Sequence, residues 1–579
     1  MRDRFVAGAR AFQASAALRA RAPLKGAPYI LLAAVALVAS PDITPAASFD
    51  AELKAIASLP GEPRSVSAAG ITRRETPLLT IENPAAFGPA STKLRLVIVG
   101  GLDGDERGAR AVVAAVRWLK RGAPADVRGR WTVSALPMAD PDGHARAKPF
   151  RFPPARGFFD DPDQPESRYV WRWVMYQAPD LVVEIKGDGA GEADSGAVDS
   201  LTGALGAARS SDPGQVPTAI VGASAGPRAL AKVLAGVHQR SPLHDALARR
   251  VARPPLETAR VLAGKYPFAS SISYIPALAW TSMLRLASLA GDEALRAKVH
   301  AQVQPWLSGD KPLFGDRVQL TSVAGTMVFA EIAKSDPGNA AARRFALEGA
   351  DAALRRKDDG LPQYGQGWTD DMFMTAAILA RTSAMPDRGG DLDAAARLLV
   401  AYAARLQQPD GIFHHATNGP AAWGRGNGFA AFGLMEALTA MPDDHPSRAS
   451  LLDIYRRQMR GLRSWQATDG MWRQIIDRPG AYREETATAM ILTAMARGMR
   501  RGWIDRSYAP AVERAWRALS AHIVEDGTLV DVCTGTGAGP DARYYYDRPA
   551  IEGADDRGGA MALVAAMEML DGSGAGRPF

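Results

Sequence analysis

The residues best suited to chemistry begin in the stretch WTDDMFM, where Asp370 and Asp371 follow Trp368 and precede a long apolar run. Adjacent acids at the start of a helix satisfy its free N–H groups and complement its dipole. A carboxyl held beside an indole can also transfer protons to and from a substrate. This motif alone leaves both interpretations open.

Three further clusters combine aromatic, basic and acidic side chains before or between predicted helices. Their sequences are GIFHHATNGPAAWGRGNGF (411–429), DGMWRQIIDRPGAYREETATAM (469–490) and VCTGTGAGPDARYYYDRP (532–549). A carbohydrate site needs such groups: aromatic faces that stack on sugars, an arginine fork that pairs with a uronate carboxylate, and one titratable acid. Each residue alone could be a packed core or turn residue, but together they favour a carbohydrate site.

From about residue 268 onward, apolar residues recur at helical spacing. Helices are predicted at 273–290, 318–334, 339–356, 371–383, 392–407, 426–440, 447–465, 484–502, 508–524 and 558–571, with turns such as SDPGN and QQPDG between them. Paired helices at intervals of roughly 40–60 residues indicate stacked helical hairpins. The pattern fits either an open solenoid or a closed (α/α) toroid in which loops line a common mouth.

The region 268–571 resembles glycoside hydrolase family 105, the unsaturated rhamnogalacturonyl and unsaturated glucuronyl hydrolases. The resemblance runs in order through SYIPALAW, WTDDMFM, LQQPDGIFHHA, WGRGNGF, DGMWRQIIDRP, EETATAM, VCTGTG and YYYDRP. It implies an all-α (α/α)6 barrel over 268–579 that acts without a metal or an organic cofactor. The implied reaction hydrates the C4–C5 double bond of a 4,5-unsaturated uronic acid at the non-reducing end of a lyase-generated oligosaccharide.

The same resemblance implies roles for individual residues. Asp370 matches the catalytic acid/base of the family, while Asp371, one residue on, points about 100° away along the helix, which leaves a capping role open for it. Arg425 is implied to lie near the uronate carboxylate. The residues implied to bind substrate are Trp368, Asp371, His415, Trp423, Arg425, Asn427, Trp472 and Tyr546.

Two positions depart from the family pattern. Leu320 stands where family members carry a second acidic residue, with Asp316 just upstream. Arg557–Gly558 stands where a His-Gly pair is frequent. These departures leave the proton-transfer residue intact but leave the identity of the substrate open.

Residues 50–250 alternate strand-like and helical patterns, which predicts an α/β domain. The segments VIVGGLDGDERGARA, ALPMADPDGHARA and PDLVVEIKGDG resemble the zinc carboxypeptidase fold in order and spacing. That resemblance implies zinc ligands at the positions of Asp103, Glu106 and Lys186, yet a protonated lysine cannot ligate zinc. We therefore predict a degenerate carboxypeptidase-like α/β domain at 48–250, a linker at 251–267, and no metal site.

The net charge and the first 47 residues indicate which partners and which cellular location to expect. Residues 1–47 contribute six basic and two acidic residues to the net charge of +7, so the rest carries about +3, which argues against nucleic-acid binding. The basic leader and the apolar stretch APYILLAAVALVA predict a signal peptide over 1–47 and export to the periplasm or the medium. No stable membrane insertion is predicted unless this segment is retained as an anchor. The single cysteine, Cys533, excludes an internal disulfide.

Two other classes of protein stay open at this point. Decay of both domains would leave a non-catalytic glycan-binding or scaffold protein, and a metallopeptidase would need zinc near Asp103 and Glu106. Retention of Asp370, His415 and Arg425 favours the hydrolase. The sequence leaves open which polysaccharide supplies the substrate, and whether the uronate is of glucuronic or galacturonic origin.

Overall fold

The computed structural model describes residues 45–84, 88, 91–143, 150–154, 164–188, 200–207 and 215–573. Residues 1–44, which make up most of the predicted signal peptide, lie outside this description. Among the described residues, no helix has the length and apolar character that crossing a membrane requires. Residues Thr44–Phe579 group into one unit that contains both predicted domains.

The first part of the described chain is an α/β layer. Its elements are α1 (Pro45–Ala57), β1 (Ser65–Ile71), β2 (Pro77–Glu82), β3 (Leu94–Gly100), α2 (Glu106–Arg121), α3 (Ala125–Arg130), β4 (Trp131–Leu136), α4 (Glu166–Gln177), β5 (Leu181–Lys186), α5 (Leu201–Ala207), β6 (Thr218–Gly222), α6 (Gly226–Ala235) and α7 (Pro242–Ala252). The strands form one sheet in the order β1-β2-β4-β3-β5-β6. Strands β4, β3, β5 and β6 run parallel, and β2 and β1 extend the sheet in antiparallel fashion. The α/β pattern is thus observed, while the likeness to zinc carboxypeptidases stays a prediction.

The rest of the chain is mostly helical. Its elements are α8 (Pro255–Lys265), α9 (Tyr274–Ala290), α10 (Glu293–Leu307), α11 (Leu320–Gly325), α12 (Met327–Ser335), α13 (Ala340–Leu354), α14 (Thr369–Thr382), α15 (Gly390–Leu406), α16 (Gly424–Ala440), α17 (Arg448–Ser464), β7 (Trp472–Arg473), β8 (Arg483–Glu484), α18 (Glu485–Arg500), α19 (Ala509–Ala521), β9 (Leu529–Cys533), α20 (Ala542–Tyr546), β10 (Ala550–Gly553) and α21 (Asp556–Ser573).

Alternate helices of this region form a closed inner ring. Helix α9 contacts α11 and α12, these contact α14, and the ring continues through α16, α18 and α21 back to α9. Helices α8, α10, α13, α15, α17 and α19 each pack outside against a helix of the ring. The described residues therefore form a helical barrel, as the sequence predicts, and the open-solenoid alternative is excluded.

Composition separates inner from outer helices. In α14 the whole run 372–380 is buried, as an enclosed helix requires, whereas α17 buries one stripe that includes Leu451, Tyr455 and Met459. Close approach of α16 to α14 depends on Gly433, where an added Cβ would lie 2.5 Å from the carbonyl oxygen of Met372. The pattern of apolar residues within each of these helices therefore indicates whether it lies inside or outside the ring.

The predicted linker at 251–267 needs correction. It contains helix α8, which packs on α21 with Ala259, Leu262 and Ala263 buried. Pro254 and Pro255 are typical of a linker, but proline is also well suited to the first turn of a helix. The barrel therefore begins at α8.

Candidate active site

The N-terminal ends of the inner helices converge at one mouth of the barrel, because inner and outer helices alternate along the chain. Asp370, Arg425 and Arg557 all lie in the first turn of an inner helix, in α14, α16 and α21. Helix N-termini carry partial positive charge and unsatisfied N–H groups. Together with two guanidinium groups, this geometry makes the mouth favourable for an anionic ligand.

Asp370 and His415 form the central pair of the site. His415 Nε2 lies 3.1 Å from Asp370 Oδ2, and the N–H of Thr369 donates to the carbonyl of His415 at 2.9 Å. His415 is fully buried, whereas the side chain of Asp370 is 15% exposed. Within the described part of the chain, Asp370 Oδ1 has no hydrogen-bond partner. One carboxyl oxygen is thus held by the imidazole and the other is available to a ligand.

Tyr545 fixes the other side of the imidazole. Its hydroxyl oxygen lies 2.9 Å from His415 Nδ1 and accepts the N–H of Gly539 at 3.1 Å. Burial raises the pKa of Tyr545 to about 12, so the hydroxyl keeps its proton near neutral pH and can donate it to Nδ1. On this assignment, Nε2 carries the ring proton and donates to Asp370. A donor in this position stabilises the carboxylate once it has released a proton.

Two indoles flank the imidazole. The ring centroids of Trp368 and Trp423 lie 5.3 and 4.4 Å from that of His415. Trp423 is only 1% exposed, so it supports the imidazole from within the barrel. Trp368 is partly exposed, and its ring would lie 3.5 Å from a Cβ added at Gly537. Trp368 is therefore the indole available to stack on a sugar face.

Arg425 is part of the wall of the site. Its guanidinium is buried over Trp423, at 4.5 Å, and donates from Nη1 to the carbonyl of Cys533 at 2.7 Å and from Nη2 to that of Thr534 at 2.6 Å. Burial alone would lower the pKa of Arg425, but the neighbouring Cys533 and Glu484 raise it. Arg425 thus stays charged and anchors the 533–534 backbone.

Two more of the predicted binding residues are packed inside the barrel. Asn427 is fully buried, where Oδ1 accepts the N–H of Phe413 at 2.8 Å and Nδ2 donates to the carbonyl of the same residue at 2.8 Å. Trp472 is also fully buried, and its Nε1 donates to the carbonyl of Leu462 at 2.7 Å. Both residues hold the loops of the site in shape and face no open space.

Asp371 and Tyr546 face away from the mouth. Asp371 is buried, and its Oδ2 accepts hydrogen bonds from the Tyr402 hydroxyl at 2.6 Å and the Gly367 N–H at 2.7 Å. Burial raises the pKa of Asp371 to about 6. Tyr546 is 4% exposed, with the guanidinium of Arg543 5.6 Å from its ring. Neither side chain is placed to reach a ligand at the mouth in this geometry, and the role of these two residues in substrate binding stays a prediction.

Tyr545 and Arg557 are the residues of the mouth that the sequence did not assign. Arg557 Nη1 donates to the carbonyl of Cys533 at 3.2 Å, the same carbonyl that Arg425 uses, and its side chain is 19% exposed. Tyr274 lies close by: burial raises its pKa, against the opposing effect of Arg557. The departure at Arg557–Gly558 was the one available signal for Arg557. The sequence gave no signal for Tyr545, because it is one of three consecutive tyrosines.

The position of the missing second acid is filled by packing. Leu320 is buried at the start of α11, and Asp316 lies exposed upstream of it. The structure therefore puts an apolar side chain where the resemblance implies an acid.

A cavity of about 1530 Å³ opens at the other end of the barrel, among the C-terminal ends of the inner helices. Its charged lining is extensively paired: Arg381 contacts Glu331 and Glu436, at 3.0 and 2.8 Å, and Arg497 contacts the buried Glu568 at 2.7 Å. These pairs link neighbouring helices. We interpret this network as part of the barrel packing, because the chemistry-bearing residues lie at the opposite mouth.

At the α/β layer, the residues of the predicted degenerate zinc site make separate contacts. Glu106 pairs with Arg110 at 3.2 Å, and Lys186 Nζ lies 3.6 Å from Glu184. Asp103 accepts a backbone N–H of its own turn at 3.0 Å. Across the described ranges, three or more His, Cys, Asp or Glu side chains suited to a metal ion are found together nowhere.

Fold and site define a helical-barrel protein with a carboxyl–imidazole pair and arginines at an open mouth, a design suited to an acidic sugar. Residues 258–572, just over half of the chain, match the sequence model of Glycosyl Hydrolase Family 88, and the chain belongs to this family.

The chain is also similar to individual known proteins. An unsaturated rhamnogalacturonyl hydrolase of Bacillus subtilis is 28% identical over 192 residues, which cover 32% of this chain and 54% of that protein. An unsaturated 3S-rhamnoglycuronyl hydrolase of an Alteromonas species is 29% identical over 154 residues, covering 26% of this chain and 36% of the relative. The chain thus spans about half, or less, of these relatives. A solved structure from Klebsiella pneumoniae, described as a possible family 105 member, aligns with a TM-score of 0.49 at 19% identity over 57% of this chain and 93% of its own.

Proposed function

We propose that the protein is a glycoside hydrolase that hydrates the C4–C5 double bond of a 4,5-unsaturated uronic acid at the non-reducing end of an oligosaccharide. The observation that carries the proposal is the Asp370–His415 pair, in which one carboxyl oxygen is held at 3.1 Å and the other is open to the mouth. One carboxyl in this state can act first as acid and then as base. The names of the two hydrolase relatives support the same class of substrate.

The reaction follows from the electronic structure of the substrate, a vinyl ether. Protonated Asp370 gives its proton to C4, and the positive charge that develops is shared between C5 and the ring oxygen. Water adds to C5 and returns one proton to the Asp370 carboxylate. The hemiketal at C5 then opens to a ketone, and the hemiacetal left at C1 expels the aglycone as an alcohol. The net change is the addition of one water molecule and cleavage of one glycosidic bond.

His415 and Tyr545 serve the two states of Asp370. While Asp370 is protonated, the imidazole N–H donates an ordinary hydrogen bond to Oδ2. When the proton has moved to C4, the same N–H stabilises the carboxylate through a stronger, charge-assisted hydrogen bond. The Tyr545 hydroxyl on Nδ1, at 2.9 Å, maintains the tautomer that both states need.

Arg557 is our proposed anchor for the substrate carboxylate. The Nη atoms of Arg425 are engaged by backbone carbonyls, whereas Arg557 is more exposed and shares one of those carbonyls. A guanidinium there can pair with a carboxylate on C5 while C4 faces Asp370. Arg425 adds positive charge from its buried position. This role differs from the direct position near the uronate carboxylate that the family resemblance implies for Arg425.

A panel of lyase-generated unsaturated disaccharides from several polysaccharides tests this function. The conjugated enol-ether carboxylate absorbs in the ultraviolet, so its hydration is followed as a loss of absorbance. We expect at least one substrate to react with the full-length protein and its rate to fall by about 10²–10⁴-fold in Asp370→Asn. Binding without turnover for every substrate would instead favour the non-catalytic glycan-binding alternative. The polysaccharide of origin is decided by the same panel, and export remains a prediction of the leader sequence.

A further inference from the structure

The α/β layer reaches the rim of the candidate site through one turn. Residues 72–76 join β1 to β2, and the side chain of Thr72 accepts two backbone N–H groups within the turn. Arg543 of α20 donates from Nη2 to the carbonyls of Thr72 and Arg73, at 3.3 and 2.9 Å. Arg73 in turn pairs with Asp547 at 2.5 Å. One turn of the α/β layer is therefore tied to both ends of α20.

The same part of the barrel carries Tyr545. We call residues 534–549 the rim segment. Its regular structure is the five-residue helix α20, and the side chains of Arg543 and Asp547 are 23% and 43% exposed. Such a short helix is not stable by itself in water, so its position depends on contacts with neighbouring parts of the fold.

The rim segment is held from both sides. Toward the barrel, Gln474 Nε2 donates to the carbonyl of Tyr545 at 2.7 Å, and Arg425 holds the carbonyl of Thr534 at the start of the segment. Toward the α/β layer, Arg543 binds the turn 72–76 beside the Arg73–Asp547 pair. Arg543 and Tyr545 are two residues apart on α20, so a displacement of Arg543 moves the hydroxyl that contacts His415.

We infer that the turn 72–76 is a positioning element for catalysis, which acts through Arg543 to keep the Tyr545 hydroxyl on His415 Nδ1. Arg543 is a positioning residue in this scheme, because its contacts are with the turn and with α20. The inference rests on the proposed function of the barrel. On this inference, the α/β layer contributes to the barrel reaction by positioning Tyr545, and the layer needs no catalytic residue for this role.

Kinetics of four variants of the full-length protein test this inference: Arg543→Ala, Arg543→Lys, Tyr545→Phe and the double variant Arg543→Ala/Tyr545→Phe. We expect Arg543→Ala to lower kcat by about 10-fold, because it weakens one hydrogen bond, the one between Tyr545 and His415. KM should stay within about 2-fold of the wild-type value. Arg543→Lys should recover part of the loss in kcat. In the Tyr545→Phe background, Arg543→Ala should lower kcat by less than about 2-fold. Two residues that act through one hydrogen bond are not additive.

Arg250→Ala is the matched control. Arg250 of α7 pairs with Glu525 at 3.1 Å, which ties the α/β layer to the barrel after α19 and away from the rim segment. We expect this variant to keep the kcat of the wild type. Equal losses in Arg250→Ala and Arg543→Ala would mean that general loosening of the interface, and not the rim segment, sets the rate.

Hydrogen–deuterium exchange gives a readout that does not depend on activity. We expect faster exchange within 534–549 in Arg543→Ala than in the wild type or Arg250→Ala, together with a change in the ring ¹⁵N shifts of His415. If the protein turns over none of the unsaturated uronides, the proposed function fails, and these two measurements still decide whether Arg543 positions Tyr545 and His415. Unchanged exchange and unchanged His415 shifts, or fully additive effects of the two substitutions on kcat, would overturn the inference.

Discussion

At the scale of single residues, the site depends on how one carboxyl is held. Asp370 lies at a helix start, where acids are common, and its proposed chemistry depends on His415 at Oδ2 and on an Oδ1 that has no partner among the residues that the structure describes. Its neighbour Asp371 has the opposite fate, because Tyr402 and the 366–367 backbone take up its oxygens. Two adjacent acids thus do different work: one faces the mouth and the other shapes the loop that leads to it.

Removal of one tyrosine hydroxyl separates the two candidate tyrosines. Tyr545→Phe deletes the hydrogen bond to His415 Nδ1, so kcat should fall by about 10-fold, as expected for the loss of a hydrogen bond of roughly 1.4 kcal/mol. Tyr546→Phe removes a hydroxyl outside the mouth and should leave kcat within about 2-fold. Steady-state kinetics on the best substrate measure both. The reverse order of effects would instead support the sequence prediction that Tyr546 binds substrate.

The proposed role of Arg557 is tested by comparing a charged substrate with an uncharged one. Arg557→Ala should lower kcat/KM for the free uronate by about 10- to 100-fold, since a charge-assisted hydrogen bond of roughly 1.5–3 kcal/mol is lost. The methyl ester of the same substrate carries no carboxylate, so its kcat/KM should change by less than about 3-fold. Equal losses for acid and ester would place the carboxylate elsewhere, with Arg425 as the next residue to test.

At the scale of elements, buried carboxyls at the start of α18 have contrasting environments. Glu484 accepts the N–H groups of Thr486, Ala487 and Cys533 and serves as the N-cap. Glu485 is fully buried, and in the described structure neither of its carboxyl oxygens has a hydrogen-bond partner. Burial raises the pKa of Glu485 well above its usual value, with Glu484 adding to the effect.

Glu485 therefore makes stability depend on pH. Above the ordinary pKa of glutamate, the unfolded chain ionises at this position while the folded chain keeps its proton, so folding stability falls as the pH rises. We expect Glu485→Gln, which does not titrate, to gain in thermal midpoint relative to the wild type between pH 4.5 and 7.5, by about 2 °C or more. Glu484→Gln should lower the midpoint at both pH values, because it weakens a cap. Calorimetry at the two pH values would contradict this account if the Glu485→Gln difference did not change with pH.

Sequence patterns predicted the long inner helices well and short or irregular elements poorly. The predictions 426–440 and 484–502 match α16 and α18 to within a few residues, because long apolar runs leave little choice. Helix α8 was missed because it is short and flanked by prolines. The motifs around Asp370 and His415 pointed to two residues that the structure brings together. Which side of a loop faces the mouth depends on packing, so the sequence did not reveal that Trp472 and Asn427 are fully buried or that Tyr545 contacts His415. The binding roles of Trp472, Asn427 and Tyr546 stay predictions.

At the scale of the whole molecule, the α/β layer and the barrel share one core. The buried residues Leu78, Val97 and Trp173 of the layer belong to the same apolar cluster as the barrel residues. Glu82 of the layer accepts from Trp173 Nε1 at 2.8 Å and pairs across this contact with Arg483 at 3.2 Å, with both charged side chains buried. The two parts are therefore expected to unfold together, although the family match covers residues 258–572.

Removal of one partner of this pair tests the shared core. Arg483→Ala leaves Glu82 buried without its cation, so the free energy of unfolding should fall by about 3–5 kcal/mol. The exposed pair Lys54–Asp50 provides a control, and Lys54→Ala should change stability by less than about 1 kcal/mol. Denaturant unfolding followed by tryptophan fluorescence and by far-ultraviolet circular dichroism measures both. Loss of the α/β layer alone in Arg483→Ala, with the barrel transition unchanged, would show that the two parts are independent.

We propose that this barrel breaks a glycosidic bond by hydrating a double bond through Asp370. The most direct measurement follows ultraviolet absorbance and aglycone release together in a stopped-flow and quenched-flow experiment on one unsaturated disaccharide. We predict that absorbance is lost before the aglycone appears, with equal final amounts, and that Asp370→Asn suppresses both. Release of the aglycone while the absorbance of the double bond persists would mean direct cleavage at C1, and would contradict the account.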